Sequence, residues 1–320
     1  MAGSGEFDFI RQRLKPLTEN DPAALELTDD GALLAPVAGQ EQVLACDTLV
    51  AGVHFLATDA PETVASRALR TNLSDMAAMG AEPQAYLSAI SWPAGIDAAW
   101  RSTFVDALHE EQTRFRLNLI GGDTTSTPGP LTITLTLIGR VPTGSALLRS
   151  GARPGDEVWV SGIIGDAGLG LRAERDGVDC FAACRTAYMR PEPRLALGLA
   201  LRDVASAALD VSDGLIADAA HLAASSNCQL ALDVEAVPIS PTAQANLAMA
   251  GGREALLTSG DDYELLFTAG TAQRDRLAAL GDQLGVALTR IGEVRDGQGV
   301  VASRADGRSF EVSRAGFTHF

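Results

Sequence analysis

Lysine is almost absent from this chain: of the 25 basic residues among its 320, only Lys15 is a lysine, and the others are arginines. The phosphate-binding loop GxxxxGK[ST] requires a lysine that contacts nucleotide phosphates. Lys15 lies in RLKPLT, which contains no glycine, so the sequence excludes this loop. If the protein binds nucleotide phosphates, the positive charge comes from another source.

Positive charge as a whole is scarce. Aspartate and glutamate number 41, the net charge is −16 and the isoelectric point is about 4.6. Nucleic-acid binding depends on basic residues that face phosphates, and docking on an anionic membrane depends on basic clusters. We therefore expect no nucleic-acid partner and no membrane partner.

Cysteines and long apolar runs are also few. The four cysteines (Cys46, Cys180, Cys184 and Cys228) form no CxxC pair and no zinc-type spacing, which fits a reducing compartment. The N-terminal stretch MAGSGEFDFIRQR has no apolar signal core, and no run approaches 18 apolar residues. We expect a soluble, cytoplasmic protein.

The length predicts two domains at about 150 residues each. Hydrophobic periodicity predicts the order β-β-α-β-α-β-β for the first half, which is an α+β pattern. In it, residues 117–123 form a strand that ends in a tight turn at Gly-Gly-Asp, and the apolar residues 32–35 resemble a strand. The polar segment 149–162 marks a boundary. Beyond it, helices at 165–175, 193–205, 214–226 and 271–285 alternate with strands at 207–212, 229–236, 263–270 and 286–294, which predicts an α/β domain.

Aspartates recur where these strands end, beside glycines. The stretch LTDDGALLAP places Asp29 and Asp30 side by side, which either a solvated turn or a bound cation would explain. Asp75 lies within the helix predicted at 60–83, beside its apolar stripe, where an unpaired charge would be costly. Simpler interpretations stay open: Ser212 or Asp213 as a cap of the helix at 214, and His54 as a packed or surface histidine. Oxygen-rich clusters without cysteine favour hard cations such as Mg²⁺, which commonly bridge to phosphates.

Several short motifs occur in one order along the chain: GEFDFI, DDGALL, DTLVAGVHF, NLSDMAAMGAEP, LIGGDTT, RSGARPGD, DVSDGL and SGDDYELLF. Their order and spacing resemble the thiamine-monophosphate kinase family, which shares a superfamily with aminoimidazole-ribonucleotide synthetase and selenophosphate synthetase. The resemblance extends from about residue 5 to the final GFTHF. It implies an α+β N-terminal domain (1–148) that carries the metal and ATP site and pairs in a homodimer. A C-terminal α/β domain (149–320) then closes the ATP cleft.

The resemblance also implies an activity: ATP-dependent phosphorylation of thiamine monophosphate to thiamine diphosphate with several Mg²⁺ ions. It implies no catalytic residue in the strict sense, because such transfer depends on positioning and charge neutralisation. Residue by residue, it implies metal ligands at Asp30, Asp47, Asp75, Asp123, Asp210 and Asp213, ATP contacts at Gly122, Asp123, Arg149 and Ser212, and substrate contacts at His54, Asp261 and Phe317.

The chain departs from the family pattern at some positions. Ala45 and Cys46 stand where the family usually has Ser-Thr, just before Asp47. Arg314 stands where the family often has an aromatic residue, whose role Phe317 would then take over. Two rival functions stay open from the residues. A sister enzyme that activates an amide or a selenide is one, although no cysteine precedes Cys46 to serve selenide chemistry. A non-catalytic cation sensor is the other, but the chain has no compact DxDxDG loop.

Overall fold

The structure is a computed structural model that describes residues 6–304, 306–310 and 316–317. It divides into two compact units. The first comprises the chain up to Met76 together with Glu82–Gly144, and the second comprises Ala77–Ala81 together with the chain from Ser145 onward. The roles that the resemblance implies for the two domains are not tested by this division.

The first unit contains a four-stranded sheet, two long helices and several short N-terminal turns. Its elements are α1 (Glu6–Phe9), a π-helical turn (Ile10–Leu14), two 3₁₀ turns (Lys15–Thr18 and Pro22–Leu27), β1 (Gln40–Val50), α2 (Pro61–Ala78, whose last two residues belong to the second unit), β2 (Glu82–Pro93), α3 (Ala98–Phe115), β3 (Asn118–Thr127) and β4 (Thr132–Pro142). The strand order is β1-β4-β2-β3, in which β2 and β3 are parallel and the other two pairs are antiparallel.

Both long helices cover one face of this sheet. The apolar stripe predicted for α2 is fully buried, from Val64 to Met76. Glu111 of α3 accepts hydrogen bonds from Ser66 and Arg70 of α2, each at 2.8 Å, and this links the helices. Tyr86 of β2 donates to Gln112 of α3 at 2.9 Å. The opposite face of β1 has no such cover, since Leu44 on it is 65% exposed.

The second unit contains a six-stranded sheet with helices on both faces. Its elements are β5 (Asp156–Ser161), α4 (Asp166–Asp176), a 3₁₀ turn (Asp179–Cys184), α5 (Arg185–Met189), α6 (Leu195–Leu201), β6 (Ala207–Asp210), α7 (Leu215–Ser226), β7 (Gln229–Asp233), α8 (Pro241–Ala245), α9 (Leu247–Ala250), α10 (Gly252–Leu257), β8 (Leu265–Gly270), a 3₁₀ turn (Thr271–Gln273), α11 (Arg274–Leu284), β9 (Leu288–Arg295) and β10 (Gly299–Ser303). The strand order is β10-β7-β9-β5-β8-β6.

Strand β8 is covered by helices on both faces of the sheet, and its sequence shows this. Leu266 packs in the cluster that contains Leu222 of α7, whereas its neighbour Phe267 packs in the cluster that contains Leu201 of α6 and Leu277 of α11. Successive side chains of a strand point to opposite faces. A strand buried on both faces therefore reads as a continuous apolar run, as LLF does here.

The structure differs from the sequence prediction at several places, among them the helices α5, α8, α9 and α10, which the sequence analysis did not predict. The apolar residues 32–35 form no strand, because they pair with no neighbouring strand, and Leu33 is 71% exposed. Strand β3 does not end at Gly-Gly-Asp but continues beside β2 to Thr127. Strand β10 follows the segment predicted as the last strand and pairs in parallel with β7. Within the described ranges, no helix is long and apolar enough to cross a bilayer.

Glu157 anchors the second sheet through ion pairs. It lies on β5, is 2% exposed, and accepts hydrogen bonds from Arg274 at 2.5 and 2.8 Å, while Arg290 lies 2.5 Å away. The hydrogen bond from Arg274, aided by the charge of Arg290, holds the pKa of Glu157 below its usual value.

We expect Glu157→Gln to lower the melting temperature at pH 7, with a loss of about 1–2 kcal/mol in the free energy of unfolding. A carboxylate with a lowered folded pKa stabilises above its unfolded pKa of about 4.3, and this contribution is lost as pH falls further. The difference between wild type and variant, measured by calorimetry, should therefore shrink below about pH 4. Glu293→Gln is the control, because the Glu293 side chain is 44% exposed and pairs with the exposed Arg295. An equal effect of both variants at pH 7 would contradict the prediction.

Candidate active site

A pocket of about 160 Å³ in the first unit brings Asp30 and Asp123 together. Its wall includes Asp29, Asp30 and Gly31 on one side, and Ser88 of β2 with residues 121–124 of β3 on the other. The loop that carries the Asp pair is held by a hydrogen bond from the Leu33 N–H to the Ala23 carbonyl at 2.9 Å. Three exposed aspartates thus line one small cavity, whose wall also includes apolar residues such as Leu14 and Leu119.

Gly122 allows β3 to bring Asp123 to this pocket. Its φ is +147°, and a Cβ at this position would lie 1.9 Å from the carbonyl oxygen of Ser88. The pairing register of β2 and β3 shifts between Tyr86 and Leu87, which marks a bulge at Ile120, two residues before Gly122. The expected tight turn is therefore a continuous strand with a bulge just before Gly122, and bulges redirect the side chains that follow them.

Asn72 connects the helix and strand that carry two other predicted ligands. Its side-chain oxygen accepts a hydrogen bond from the Asp47 N–H at 3.0 Å, and its amide donates to the Ala68 carbonyl at 2.9 Å. Asn72 is fully buried, and Asp75 follows it by three residues on the same side of α2. Asp75 lies in the last turn of α2, where the helix dipole disfavours a carboxylate and a bound cation would offset the cost.

The sheet register relates these two groups of carboxylates. Asp47 pairs with Leu135, Leu135 with Ser88, and Ser88 with Gly122, so all four lie in one row across the sheet. Neighbouring strands lie about 4.8 Å apart, which puts Asp47 roughly 14 Å from Gly122. Asp47 and Gly122, the neighbour of Asp123, therefore lie three strands apart in one row of the sheet.

His54 lies in the loop after β1 and is half-buried. Its ring Nδ1 accepts a hydrogen bond from the Val50 N–H at 3.0 Å. Its carbonyl accepts one from the guanidinium of Arg67 at 2.9 Å. These two hydrogen bonds and its partial burial do not fit the interpretation of His54 as a surface histidine.

In the second unit, five of the predicted site residues lie in or beside the segment that joins β6 to α7. Ser212 accepts a hydrogen bond at its carbonyl from the Asp261 N–H at 2.8 Å, and the Asp213 carbonyl accepts one from the Phe317 N–H at 2.9 Å. Asp210 ends β6 and is 5% exposed. Arg314 lies outside the described residues.

Asp218 is a residue that the sequence analysis missed. Its carboxylate accepts hydrogen bonds from the Asp213 and Gly214 N–H groups at 3.0 and 3.1 Å. Neither Ser212 nor Asp213 caps α7, because Gly214 occupies the N-cap. Burial, followed by the negative charges of Asp210 and Asp213, raises the pKa of Asp218 to about 7. The sequence signal for this role was an aspartate four residues after Gly214, in the first turn of α7. This signal is weak, because the helix dipole favours acidic residues in any first turn.

Ligand atoms of Asp213, Asp218 and His221 lie within 4.8 Å of one another. Asp218 and His221 are three residues apart on α7, so they share one face of the helix. The pocket in the first unit offers carboxylate oxygens, which fit Mg²⁺. The group in the second unit adds an imidazole, which also suits metals such as Mn²⁺ or Zn²⁺.

The two adjacent aspartates of SGDDYELLF have different surroundings. Asp262 accepts hydrogen bonds from the Gly165 N–H at 2.9 Å and from the Ala167 N–H, so it fixes the start of α4, and burial raises its pKa well above the usual value. Asp261 has φ +66° and accepts a hydrogen bond from the Tyr263 hydroxyl at 3.1 Å. A non-glycine residue in this conformation is strained, and such strain is frequent at functional sites.

Arg149 is not brought next to Ser212. Its side chain is exposed, and its carbonyl accepts a hydrogen bond from Ser226, at the C-terminal end of α7. Ser212 precedes the other end of this 12-residue helix. The two ends of such a helix are about 18 Å apart.

Comparison with known proteins assigns the chain to a family. Residues 28–141 match the AIR synthase related protein, N-terminal domain, and residues 153–304 match the AIR synthase related protein, C-terminal domain. Thiamine-monophosphate kinase of Caulobacter vibrioides is 45% identical over 98% of this chain and 90% of its own, and that of Escherichia coli K12 is 38% identical over 99% and 98%. The chain belongs to the thiamine-monophosphate kinase family.

Solved structures agree with this assignment. Thiamine-monophosphate kinase of Stenotrophomonas maltophilia K279a has a TM-score of 0.85 and 41% identity, with 96% of this chain and 98% of that chain covered. AaThiL, solved with AMPPCP and TMP, has a TM-score of 0.79 and 29% identity over 100% and 98%. The resemblance, the fold class and the phosphotransferase class predicted from the sequence are thereby confirmed. The roles of individual site residues in this family member stay predictions.

The close approach of Gly122 to Ser88 gives a direct test of the site's architecture. We expect Gly122→Ala to destabilise the protein by about 3 kcal/mol or more, because the new Cβ meets backbone and cannot be relieved by a side-chain rotation. Gly121→Ala is the matched control, since its Cβ would meet only the flexible end of Leu87 at 3.1 Å. Melting temperatures of both variants check this, and equal, small shifts would show that the close approach at Gly122 is dispensable.

Proposed function

We propose that this protein phosphorylates thiamine monophosphate to thiamine diphosphate with ATP as the phosphoryl donor and Mg²⁺ as the cofactor. The observation that supports it best is the likeness, over the whole chain, to AaThiL, whose structure contains AMPPCP and TMP. The carboxylates in both units would bind Mg²⁺, and these ions would replace the positive charge that a phosphate-binding lysine provides in other enzymes.

The proposal assigns residues to ligands as follows. Metal ligands are Asp30, Asp47, Asp75, Asp123, Asp210 and Asp213, ATP contacts are Gly122, Asp123, Arg149 and Ser212, and contacts to thiamine monophosphate are His54, Asp261 and Phe317. Bound Mg²⁺ would supply the positive charge that screens repulsion between the anionic donor and acceptor phosphates.

The residues of the chain then act by placement. The acceptor is a phosphate oxygen that is already ionised near pH 7, so no strong general base is needed. The Asp29–Asp30 loop and the close approach of Gly122 to Ser88 position the carboxylates of the first unit, and Asp218 fixes the Asp213 backbone in the second. Positioning of this kind reduces the entropic part of the barrier.

A coupled assay for ADP release decides between this function and its rivals. Thiamine monophosphate, thiamine and aminoimidazole precursors are compared side by side at saturating ATP and Mg²⁺. We propose that thiamine monophosphate is the preferred acceptor. Turnover confined to an aminoimidazole precursor would favour a sister enzyme, and no turnover with cation binding intact would favour a cation sensor.

Asp75→Asn tests the metal proposal. We expect a loss of at least about 100-fold in kcat with little change in the circular dichroism spectrum, because one charge is removed at nearly constant shape. Asp176→Asn is the control, since Asp176 is an exposed residue that pairs with Arg175. Turnover close to wild type at saturating Mg²⁺ would contradict a shared metal ligand at Asp75.

Direct in-line transfer has its own test. A phosphoenzyme would permit exchange of label between ATP and ADP without the acceptor. We expect no labelled ATP after incubation with ATP, labelled ADP and Mg²⁺ alone, while addition of thiamine monophosphate starts turnover. Exchange at a rate comparable to turnover would point to a covalent intermediate, with His54 as the first residue to examine.

A homodimer is part of the proposal. The face of β1 away from the helices exposes Leu44, Cys46 and Thr48, and β1 is an edge strand of its sheet. Uncovered apolar sheet surface of this kind favours association. Light scattering of the purified protein measures its mass, and a monomer at micromolar concentration would contradict this part of the proposal.

A further inference from the structure

Two hydrogen bonds, at different parts of the residue, hold His54. The Val50 N–H donates to Nδ1 of the ring at 3.0 Å, and Nη2 of Arg67 donates to the His54 carbonyl at 2.9 Å. The His54 N–H also donates to the Val50 carbonyl at 3.0 Å, which closes the turn between the two residues. Ring and backbone are thus fixed relative to the end of β1.

The bond to Nδ1 determines where the ring carries its proton. A backbone N–H can point at Nδ1 only if that nitrogen offers a lone pair, so Nδ1 is unprotonated. Rotation of the ring by 180° would place a C–H group against the same N–H and lose the bond. The neutral imidazole therefore carries its hydrogen on Nε2, as the partner of one nitrogen sets the state of the other.

Arg67 is an unusual residue for its position. It lies in α2 and is 1% exposed. Burial of a charged side chain is costly unless the side chain is paired or hydrogen-bonded. Its guanidinium reaches the His54 carbonyl, 13 residues earlier in the chain. A charged donor makes this bond stronger than one between neutral groups.

We propose that the Val50 N–H holds the ring of His54 as the Nε2–H tautomer and that Arg67, through the His54 carbonyl, is a positioning residue for the turn that carries this ring. The substrate contact assigned to His54 under the proposed function is then a hydrogen bond that His54 donates. Nε2–H donation suits an anionic phosphate oxygen, and a nitrogen that bears hydrogen has no lone pair for attack on phosphorus. The identity of that substrate rests on the proposed function, but the tautomer does not.

The first measurement is ¹⁵N NMR of the labelled full-length protein without substrate, with His54 assigned by comparison with His54→Gln. We expect the Nε2–H pattern in wild type near pH 7.5. An Nδ1–H pattern, or rapid averaging of both, would overturn the inference. This result does not depend on whether the protein phosphorylates thiamine monophosphate, so it separates failure of the inference from failure of the proposed function.

The second measurement removes the positioning bond. In Arg67→Met we expect averaging of the two tautomers and a KM for thiamine monophosphate raised about tenfold, the value of one hydrogen bond, with a smaller change in kcat. Arg67→Lys keeps the charge and should give an intermediate KM, which keeps the test available if Arg67→Met does not fold.

Arg70→Lys is the matched control. Arg70 lies on the same helix, is 3% exposed and pairs with Glu111 at 2.8 Å instead of approaching His54. A purely structural role for buried arginines in α2 would give Arg67→Lys and Arg70→Lys the same effect on stability and none on the tautomer or KM. An unchanged tautomer and KM in folded Arg67 variants would therefore overturn the positioning role.

Discussion

Carboxylates gathered at the ends of strands, in a chain with one lysine, set the electrostatic constraint on this protein. Asp29, Asp30 and Asp123 share one small cavity, and Asp210, Asp213 and Asp218 lie close enough that two of them raise the pKa of the third. Like charges repel strongly at short range when water is excluded. Other interactions therefore have to hold these carboxylates near one another, and a bound cation would lower the repulsion between them.

Backbone groups provide much of that positioning. Gly122 permits a close approach between β3 and β2 that any side chain would prevent, and Asp123 follows directly. Asp218 and Asp262 accept backbone N–H groups near the starts of α7 and α4, so these two acids hold loops in place. Acidic residues of one sequence motif thus have different tasks: Asp262 stabilises the fold, whereas Asp261 adopts a strained conformation beside Ser212.

Periodicity in the sequence predicted much of the fold. The stripe of α2 and the alternation of β4 are visible because one face of each element is buried, and the LLF run of β8 is visible because both faces are buried. The bulge in β3 was missed because glycine pairs are typical of turns as well as of bulges. Strand β10 was missed because Val300 is only partly buried and Val301 is exposed, which weakens the alternation.

The sequence alone determined the order of motifs, the family resemblance and the scarcity of positive charge, because residue types and spacing are enough for these. It could not determine which aspartates meet, since Asp30 and Asp123 are distant in the chain and come together only through the pocket beside β3. Nor could it determine the anchoring of His54, because the donors at Val50 and Arg67 reach it through the turn after β1 and the placement of α2. Hydrogen bonds and shared cavities depend on distances in space, and these distances exist only once the sheet has fixed its register.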